Sequence, residues 1–535
     1  MIESESTGSN IRLMSHSLIP TGCQERNLRR KAMFRRIKTG DSWKSYLRFA
    51  GVSNEYTALS RLVLIALLFA LSTLPARAQT PDPEPPGPAP DPSRPALNPF
   101  PAEQNWSFLA DPSEPTDFFD PVKYIPFDDN PQMYLSLGFE YRIQYENYDN
   151  WMFGAPPRDY DGYVLNRVMP HFDFHAGSDF RLFSEFEFDY EDGRNGGPRP
   201  QIDEDRGDVH QAFLEIGPHV SGPHGISVRA GRQEVVFGTG RLFDNNEGPN
   251  VKQSFDGFRA IAEGAHLRLD LFAVKPGENN LGFFDNVSNH AESLWGSYLT
   301  IPAPIVSDGQ ADLYYIGLDA KSAAYNRGIG QELRHTVGTR VFRPIGKGLD
   351  YNWEPNYQWG NLGGTSIRAW SVSTETGFTF DRVRFHPRPL LRADAYSGDG
   401  DPANQPLGTF NPLFPRGAYF TPAVVPFLGP QNLIDLHPVL QFQLKTNITG
   451  AIAWDWYWRE STHDGTFGSG ALIDPAGASH ARYLGNQGDL EIRWAPARHT
   501  IIAFNFAGFE PGTFFKGLAY NGGPIAANVG FTYRF

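Results

Sequence analysis

The chain has 535 residues, 54 of them glycine, with 14% aromatic residues and a mean hydropathy of -0.41. This balance excludes a bundle of transmembrane helices and is typical of a chain rich in turns and ring side chains, as in a large β-barrel. The net charge of -13 argues against a nucleic-acid partner, because phosphate binding needs a basic surface.

An apolar run at residues 62–71 is the first informative element. It follows Arg61 and leads to an Ala-Arg-Ala triplet at 76–78. A helix that spans a bilayer needs about 20 apolar residues, so this run is too short to cross a membrane. The charged start, short apolar run and A-x-A end predict a secretory signal with cleavage before Gln79. We interpret residues 1–78 as an N-terminal extension plus signal peptide.

The extension ahead of the apolar run is unusual, because basic residues such as Arg29 and Arg30 lie far in front of it. A start codon assigned too early explains this length; the alternatives are an extended n-region and a twin-arginine signal. Removal of residues 1–78 takes away 12 of the 47 basic and 5 of the 60 acidic residues, which leaves a net charge of -20. It also removes Cys23, so the predicted mature chain has no disulfide, thiolate metal site or cysteine nucleophile.

Residues 80–101 carry ten prolines among acidic and small residues. Such a composition favours an extended polyproline conformation without a packed core. We predict that residues 79–130 form a Pro-rich, disordered periplasmic segment. A docking motif for a periplasmic secretion partner is the alternative.

From residue 133 onward, apolar and polar side chains alternate. The odd positions of 133–145 are apolar, and the even positions include Glu140 and Arg142. Successive side chains of a strand point to opposite faces, so the pattern predicts one apolar and one polar face. It recurs at 349–359 and in many later runs. The runs suggest about 16 to 18 strands and predict an all-β fold, a large antiparallel transmembrane β-barrel over residues 131–535 with an aqueous lumen.

Ring side chains support lipid on the outside of this barrel. Trp454, Trp456 and Trp458 share one face of a predicted strand, and transmembrane barrels place such rings in girdles at the two membrane interfaces. The chain ends on alternating Tyr533 and Phe535, a terminal aromatic strand typical of the signal that barrel-assembly machinery reads. We expect the cell outer membrane as the location.

Several sequence blocks resemble those of the alginate export family of Gram-negative outer membranes. They are VRAGRQE at 228–234, FDG at 255–257, SGDGD at 397–401, NLIDLHP at 432–438 and GNQGDL at 485–490. The resemblance implies an 18-stranded barrel whose Arg- and Lys-lined lumen passes an anionic polysaccharide, a polyuronate, outward.

With the apolar face outward, the alternation directs many arginines into the lumen, and the family-like blocks add two more. Guanidinium groups bind carboxylates in a bidentate manner and suit a polyanion pathway. The predicted lumen arginines are Arg142, Arg167, Arg229, Arg232, Arg241, Arg259, Arg268, Arg334, Arg340, Arg392, Arg459 and Arg493.

Carboxylates share the same faces, so ion pairs that merely hold the wall are the alternative interpretation. The acidic residues concerned are Glu140, Glu146, Asp173, Glu185, Glu187, Asp189, Asp270, Asp394, Asp455 and Glu491.

Metal sites have little support in the sequence. His171, Asp173 and His175 share a strand face, but alternate side chains stand about 6.5 to 7 Å apart and converge poorly on one ion. Asp399 and Asp401 could bind calcium in a loop, but a turn chosen for its Gly and Asp residues is the favoured explanation, because the spacing of an EF-hand is missing. We predict no cofactor apart from this candidate calcium ion.

Three functions remain in competition. The first is an export channel for an anionic polysaccharide such as alginate, and the second is a diffusion porin for small sugars or acids. The third, an outer-membrane enzyme, lacks a G-x-S-x-G, H-E-x-x-H or Walker motif, and we predict no catalysis. We expect residues 279–312 and 402–430 to be long loops, outside the barrel or folded inward, and deletion of the second should raise conductance.

Overall fold

The computed structural model describes most of the chain after the Pro-rich stretch. The predicted signal peptide, its cleavage site before Gln79 and residue Asp401 lie outside the described residues. None of the helices described is long and apolar enough to cross a membrane. The described residues are 97, 99–111, 113, 117–127, 130–150, 160–199, 201–218, 224–265, 267–303, 309–400, 403, 406–416, 428–468, 471–518 and 522–535.

Strands dominate the described residues, with two short helices and three 3-10 turns. The helices are α1 (Asp120–Lys123) and α2 (Thr513–Gly517), and the turns are Pro101–Glu103, Ser107–Ala110 and Ala476–Ala478. The strands are β1 (Ile125–Pro126), β2 (Met133–Asp149), β3 (Tyr160–Ala176), β4 (Phe180–Asp192), β5 (Asp205–Ile216), β6 (Gly225–Gln233), β7 (Phe255–Glu263), β8 (Arg268–Glu278), β9 (Val287–Ser288), β10 (Glu292–Pro302), β11 (Gln310–Tyr325), β12 (Gly328–Arg343), β13 (Gly348–Leu362), β14 (Thr365–Thr379), β15 (Arg388–Tyr396), β16 (Leu433–Lys445), β17 (Ile448–Trp458), β18 (Thr466–Gly468), β19 (Ala471–Asp474), β20 (Tyr483–Ala497), β21 (Thr500–Pro511) and β22 (Ile525–Arg534).

Eighteen of these strands form one closed antiparallel barrel, as predicted. β1, β9, β18 and β19 are short accessories, and every other strand pairs with its neighbours in the wall. The barrel closes where β22 pairs with β2, from Glu140 opposite Arg534 to Asp149 opposite Ile525. The terminal ring of Phe535 stacks on Phe119 with 4.1 Å between ring centroids.

The two faces of the wall follow the predicted alternation. In β2, Arg142 is 7% exposed whereas Tyr145 is 44% exposed, because the outer face has no protein against it. Trp353 and Trp454 likewise lie on the outer face. Apolar side chains outside and polar side chains inside are what a membrane barrel with a wet lumen requires.

The prediction of a loop over 279–312 is wrong, because this segment contains β9, β10 and the start of β11. The reason lies in β10, which has apolar residues on both faces. Leu294 and Tyr298 are buried on the inner side, and Trp295 lies on the alternate side. A strand that is apolar on both faces lacks the contrast from which the other strands were recognised.

The two rims of the barrel differ in the length of their connections. One rim has turns such as 177–179 and 446–447, and both chain ends of the barrel lie there. The opposite rim carries the long connections 234–254, 397–432 and 459–482. Outer-membrane barrels have short periplasmic turns and long extracellular loops, so we take the second rim as extracellular.

Candidate functional site in the barrel lumen

The β6–β7 connection, residues 234–254, folds into the barrel and is called the lumen loop. Val235, Phe243 and Asn250 of this loop are fully buried. The ring of Phe237 stacks on that of Tyr298 of β10, with 4.7 Å between centroids. A loop from the extracellular rim therefore fills part of the lumen with an apolar core of its own.

The lumen loop reaches opposite sides of the wall. On one side, Arg142 of β2 donates to the carbonyl oxygens of Glu247 (2.9 Å) and Pro249 (2.5 Å). On the other side, Arg241 of the loop pairs with Glu354 of β13 at 3.0 Å. Since β2 and β13 are far apart in the order of strands around the barrel, the loop crosses the lumen.

Glu247 carries the negative charge that binds the lumen loop to β3. Its carboxylate lies 2.5 Å from Nη2 of Arg167 and 2.8 Å from Nζ of Lys252. Burial raises the pKa of Glu247, but the positive charges of Arg167 and Lys252 outweigh burial and lower the pKa to about 2. Arg167 is fully buried and also pairs with Glu140 at 2.7 Å.

The described part of the β15–β16 connection packs against the lumen loop. The amide of Asp244 donates to the carbonyl oxygen of Phe414 (2.9 Å). The amide of Phe414 donates to the carbonyl oxygen of Leu242 (3.1 Å). The guanidinium of Arg416 donates to the carboxylate of Asp244 at 3.0 Å. The described part of the predicted 402–430 loop therefore folds inward and supports a constriction.

The segment before the barrel also lies against the inner wall. Ala102 packs on Phe183 and Phe213, and the carbonyl oxygen of Pro99 accepts a hydrogen bond from Nζ of Lys252 at 3.1 Å. The prediction that the whole of 79–130 is disordered is therefore wrong for its described part. The number of prolines indicated an extended chain, but it could not reveal the apolar contacts of Ala102 with the barrel wall.

Arg229, Arg259 and Arg268 form one patch on β6, β7 and β8. Arg229 pairs with Glu215 at 2.8 Å, and Arg259 and Arg268 both pair with Asp270, at 2.7 and 2.9 Å. All three arginines are buried on the inner face, where the alternation placed them. Carboxylates of the wall pair with all three. This patch therefore fits the alternative interpretation, in which ion pairs stabilise the wall instead of binding a solute.

Glu103 of the N-terminal segment adds one more carboxylate beside that patch. Its Oε1 lies 3.7 Å from Nη1 of Arg229. Partial loss of water around the carboxylate raises the pKa of Glu103, but the charges of Arg229, Arg268 and Arg259 outweigh this and lower the pKa below its ordinary value. Glu103 is therefore ionised at neutral pH.

Arg334 and Arg340 lie on the inner face of β12. Arg334 contacts the carboxylate of Glu332 and donates to Gln358 at 2.8 Å. Arg340 pairs with Asp312 of β11 at 3.2 Å. Both predicted lumen positions are thus on the inner face and already bound by polar groups of the wall.

Arg392 and Arg493 also lie on the inner side. Arg392 pairs with Glu375 at 2.9 Å. Arg493 lines a cavity of about 160 Å³ together with Arg388 and Glu491 near the periplasmic rim. These two positions are less enclosed than Arg142, Arg167 and Arg229, which are buried.

Two predicted arginines serve other purposes. Arg459 donates to the carbonyl oxygens of Ala481 (2.6 Å) and Ser479 (2.8 Å), so it organises the β17–β20 connection. Arg232 is three residues from Arg229 and therefore points to the other strand face, where it pairs with Asp256 at 2.8 Å. The placement of Arg232 among the lumen arginines is corrected by this geometry.

Other inner cations were missed. Arg181 is four residues from Glu185 and therefore shares its strand face, and Arg534 lies on the face opposite to that of Phe535. The alternation of apolar and polar residues thus indicated that both arginines point inward. Lys252 and Arg416 lie in loops, where no periodicity reveals which way a side chain points.

Acidic residues form a row on the far side of the lumen, which we call the acidic strip. It consists of Asp394, Asp435, Asp455 and Asp489, from four adjacent strands, β15, β16, β17 and β20. Asp394 and Asp435 are direct register partners. Asp394, Asp435 and Asp455 are buried on the inner face.

The metal candidates of the sequence are engaged with arginines. Asp173 accepts two hydrogen bonds from Arg181, at 2.7 and 2.8 Å, and His175 lies 3.2 Å from it. Arg327 donates to both carboxylate oxygens of Asp399 at 2.9 Å. Because Asp401 lies outside the described residues, a loop-bound calcium ion stays a prediction.

Comparisons with known proteins agree with this architecture. The model of the family described as alginate export matches residues 133–520. No curated protein matches the sequence.

Solved outer-membrane channels share the fold at low sequence identity. Pseudomonas aeruginosa OccD3 (OpdP) has a TM-score of 0.51 and 11% identity, covering 84% of this chain and 99% of that one. Acinetobacter baumannii OccAB1 has a TM-score of 0.51 and 10% identity, covering 77% and 98%. A BenF-like porin from Pseudomonas fluorescens Pf-5 has a TM-score of 0.52 and 8% identity, covering 75% and 98%.

These likenesses show the fold alone, whereas the family match spans nearly the whole barrel. Family and fold are those of outer-membrane channels, not of enzymes. The chain belongs to the alginate export family.

Proposed function

We propose that this outer-membrane channel secretes an anionic polysaccharide such as alginate, with the inner arginines as the carboxylate-binding groups of its pathway. The observation that supports this best is the contact of Arg142 with the lumen loop. Its guanidinium donates to backbone carbonyl oxygens of Glu247 and Pro249, which carry no charge. When the loop moves, these donors become available to carboxylates, which bind guanidinium more strongly than a carbonyl does.

The loop contacts also imply that passage requires rearrangement. The lumen loop is held at Arg142 on one wall and at Glu354 on the other. A stiff polymer cannot pass while both contacts persist. Export therefore involves displacement of the lumen loop, together with the part of the β15–β16 connection bound to it.

A diffusion porin for small sugars or acids is the second candidate. The pairing of Arg229, Arg259 and Arg268 with wall carboxylates favours it, because paired arginines offer little free positive charge. The acidic strip also favours the diffusion porin over export of a polyanion. A periplasmic secretion partner and recognition of Phe535 by the barrel-assembly machinery remain parts of the proposal.

Planar-bilayer recording with the full chain tests the two candidates. Export of a polyuronate predicts anion-selective currents that uronate oligomers block, and Arg142→Gln should weaken the block. Arg206→Gln, at an exposed position on the extracellular rim, is the control and should leave the block unchanged. Cation selectivity without block would reject polyuronate export and support the porin.

A further inference from the structure

Three side chains of the acidic strip region converge on one point of the lumen. Asp435 and His437 are two residues apart on β16, and the register places Asp455 of β17 opposite His437. One potential ligand atom from each lies within 4.8 Å of the others. The side chains are 7%, 3% and 0% exposed, so this is an enclosed cluster.

The cluster contains a buried polar atom for which the described residues offer no hydrogen-bond partner. Within the part of the chain that the structure describes, Nε2 of His437 has none, whereas Nδ1 of the same ring lies 2.7 Å from Oδ1 of Asp455 and pairs with it. The other carboxylate oxygen of Asp455 accepts a hydrogen bond from the hydroxyl of Tyr457 at 2.8 Å. Buried polar atoms are almost always satisfied in proteins, so an unpartnered imidazole nitrogen within a ligand-like cluster calls for a bound group.

The charges around the cluster indicate that this group is a cation. Asp394 is the register partner of Asp435, and Asp489 lies on the strand next to Asp455. The positive charges of Arg392 and Arg241 act on Asp435, but each arginine is shared with a carboxylate outside the strip, Arg392 with Glu375 at 2.9 Å and Arg241 with Glu354 at 3.0 Å. The carboxylates around the cluster therefore outnumber these two guanidinium groups.

A second buried cluster shows what a satisfied arrangement looks like in the same barrel. Glu185, His210 and Glu234 also approach within 4.8 Å. There, however, His210 lies between Glu187 at 3.0 Å and Glu234 at 2.9 Å, and the ammonium of Lys252 is 3.5 Å from Glu234. Cationic side chains of the protein occupy that cluster, and a metal ion is not needed.

We propose that Asp435, His437 and Asp455 bind a divalent transition-metal ion of the Zn²⁺ class in the lumen. Imidazole together with carboxylates suits Zn²⁺ and its neighbours, whereas Ca²⁺ and Mg²⁺ prefer sites built from oxygen alone. Three protein ligands leave a coordination position for water or a solute oxygen. A bound ion also adds two positive charges to the acidic strip, independently of which solute the channel carries.

Metal titration of the refolded, tag-free full chain tests the proposal. After treatment with a chelator, ZnCl₂ is titrated by calorimetry, and the metal content is measured after dialysis. We expect one tight Zn²⁺ site, and His437→Gln or Asp455→Asn should weaken binding by at least about tenfold. His463→Gln, at an exposed histidine elsewhere, is the control and should bind as the wild type does.

Co²⁺ serves as a spectroscopic probe of the same site. Its visible absorption should appear with the wild type and change in His437→Gln, which identifies the imidazole as a ligand. Heat-dependent migration on a gel confirms that each variant has formed the barrel, and Asp435→Asn replaces any variant that has not. Absence of a stoichiometric Zn²⁺ site, unchanged binding by the folded variants, or displacement of Zn²⁺ by equimolar Ca²⁺ would each overturn the assignment.

Discussion

The two sides of the lumen balance their charges in different ways. On the side of β2 to β8, Arg167, Arg229 and Arg259 each pair with a carboxylate at 2.8 Å or less. On the side of β15 to β20, Asp435 and Asp455 lie in an acidic row next to a histidine. The number of arginines on an inner face therefore does not measure the positive charge that a solute meets.

The paired side also performs a structural task that the acidic strip does not. Arg142, Arg167 and Lys252 hold the lumen loop, and Lys252 also binds the N-terminal segment at Pro99. Breaking a buried pair leaves an uncompensated charge, so these contacts resist disruption. In this structure the arginines of this side hold protein segments in place rather than bind a solute.

Shortening the lumen loop should have the largest effect. Replacement of 236–250 by a short Gly-Ser linker removes the element that crosses from Arg142 to Glu354 and should raise single-channel conductance several-fold. Deletion within 402–430 should raise it less, because the lumen loop stays attached to both walls. Equal conductance of both variants and the wild type would show that neither loop limits the pore.

Removal of Arg167 tests whether the paired side depends on buried charge. Arg167→Met leaves the carboxylates of Glu140 and Glu247 without their main partner, and the free energy of unfolding should fall by about 3 to 5 kcal/mol. Urea unfolding in detergent micelles measures this change. Arg206→Met, which breaks the exposed pair with Glu204, is the control and should cost less than about 1 kcal/mol.

Lys123 is the exception on the paired side. Its buried ammonium finds no hydrogen-bond partner among the residues that the structure describes, and it lies 5.0 Å from the ring centre of Trp106. Burial lowers its pKa from 10.5 to about 7, so between pH 7 and 10.5 the unfolded segment binds more protons than the docked one. Docking of the N-terminal segment should strengthen as pH rises through this range.

Limited proteolysis of the N-terminal segment measures that dependence. Cleavage should slow as the pH rises from 7 to 10, and Lys123→Met should show slow cleavage at every pH because the titrating group is gone. A cleavage rate of the variant that follows the pH as the wild type does would contradict the role of Lys123.

The smallest effect is expected from the acidic strip. Asp489→Asn replaces one carboxyl group of the strip without a change of shape. At alkaline pH, where that carboxyl group carries its negative charge, the reversal potential in a salt gradient should shift modestly toward anion selectivity. Asp179→Asn, on a short turn at the periplasmic rim, is the matched control. A shift equal to that of the control would mean that the strip does not act on passing ions.

Sequence patterns predicted the wall far better than its contents. Met133 to Tyr145 alternate as predicted, and the terminal strand with Phe535 closes the barrel. The alternation also placed Arg142, Arg229 and Arg340 correctly on the inner face. The alternation failed for β10, where both faces are apolar. Arg232 was assigned to the lumen from its place in a motif, whereas its odd or even position along the strand would have placed it on the other face.

The sequence by itself determined the barrel, its faces and its family. A strand of the wall exposes every second residue to lipid, so apolar and polar residues alternate along the sequence. Only the tertiary structure decided which charges are free. The lumen loop, the N-terminal segment and the cluster of Asp435, His437 and Asp455 depend on contacts between distant residues, and no local pattern records the partner of a buried charge. The pathway for a solute is therefore a property of the folded loops and ion pairs, not of the arginine count.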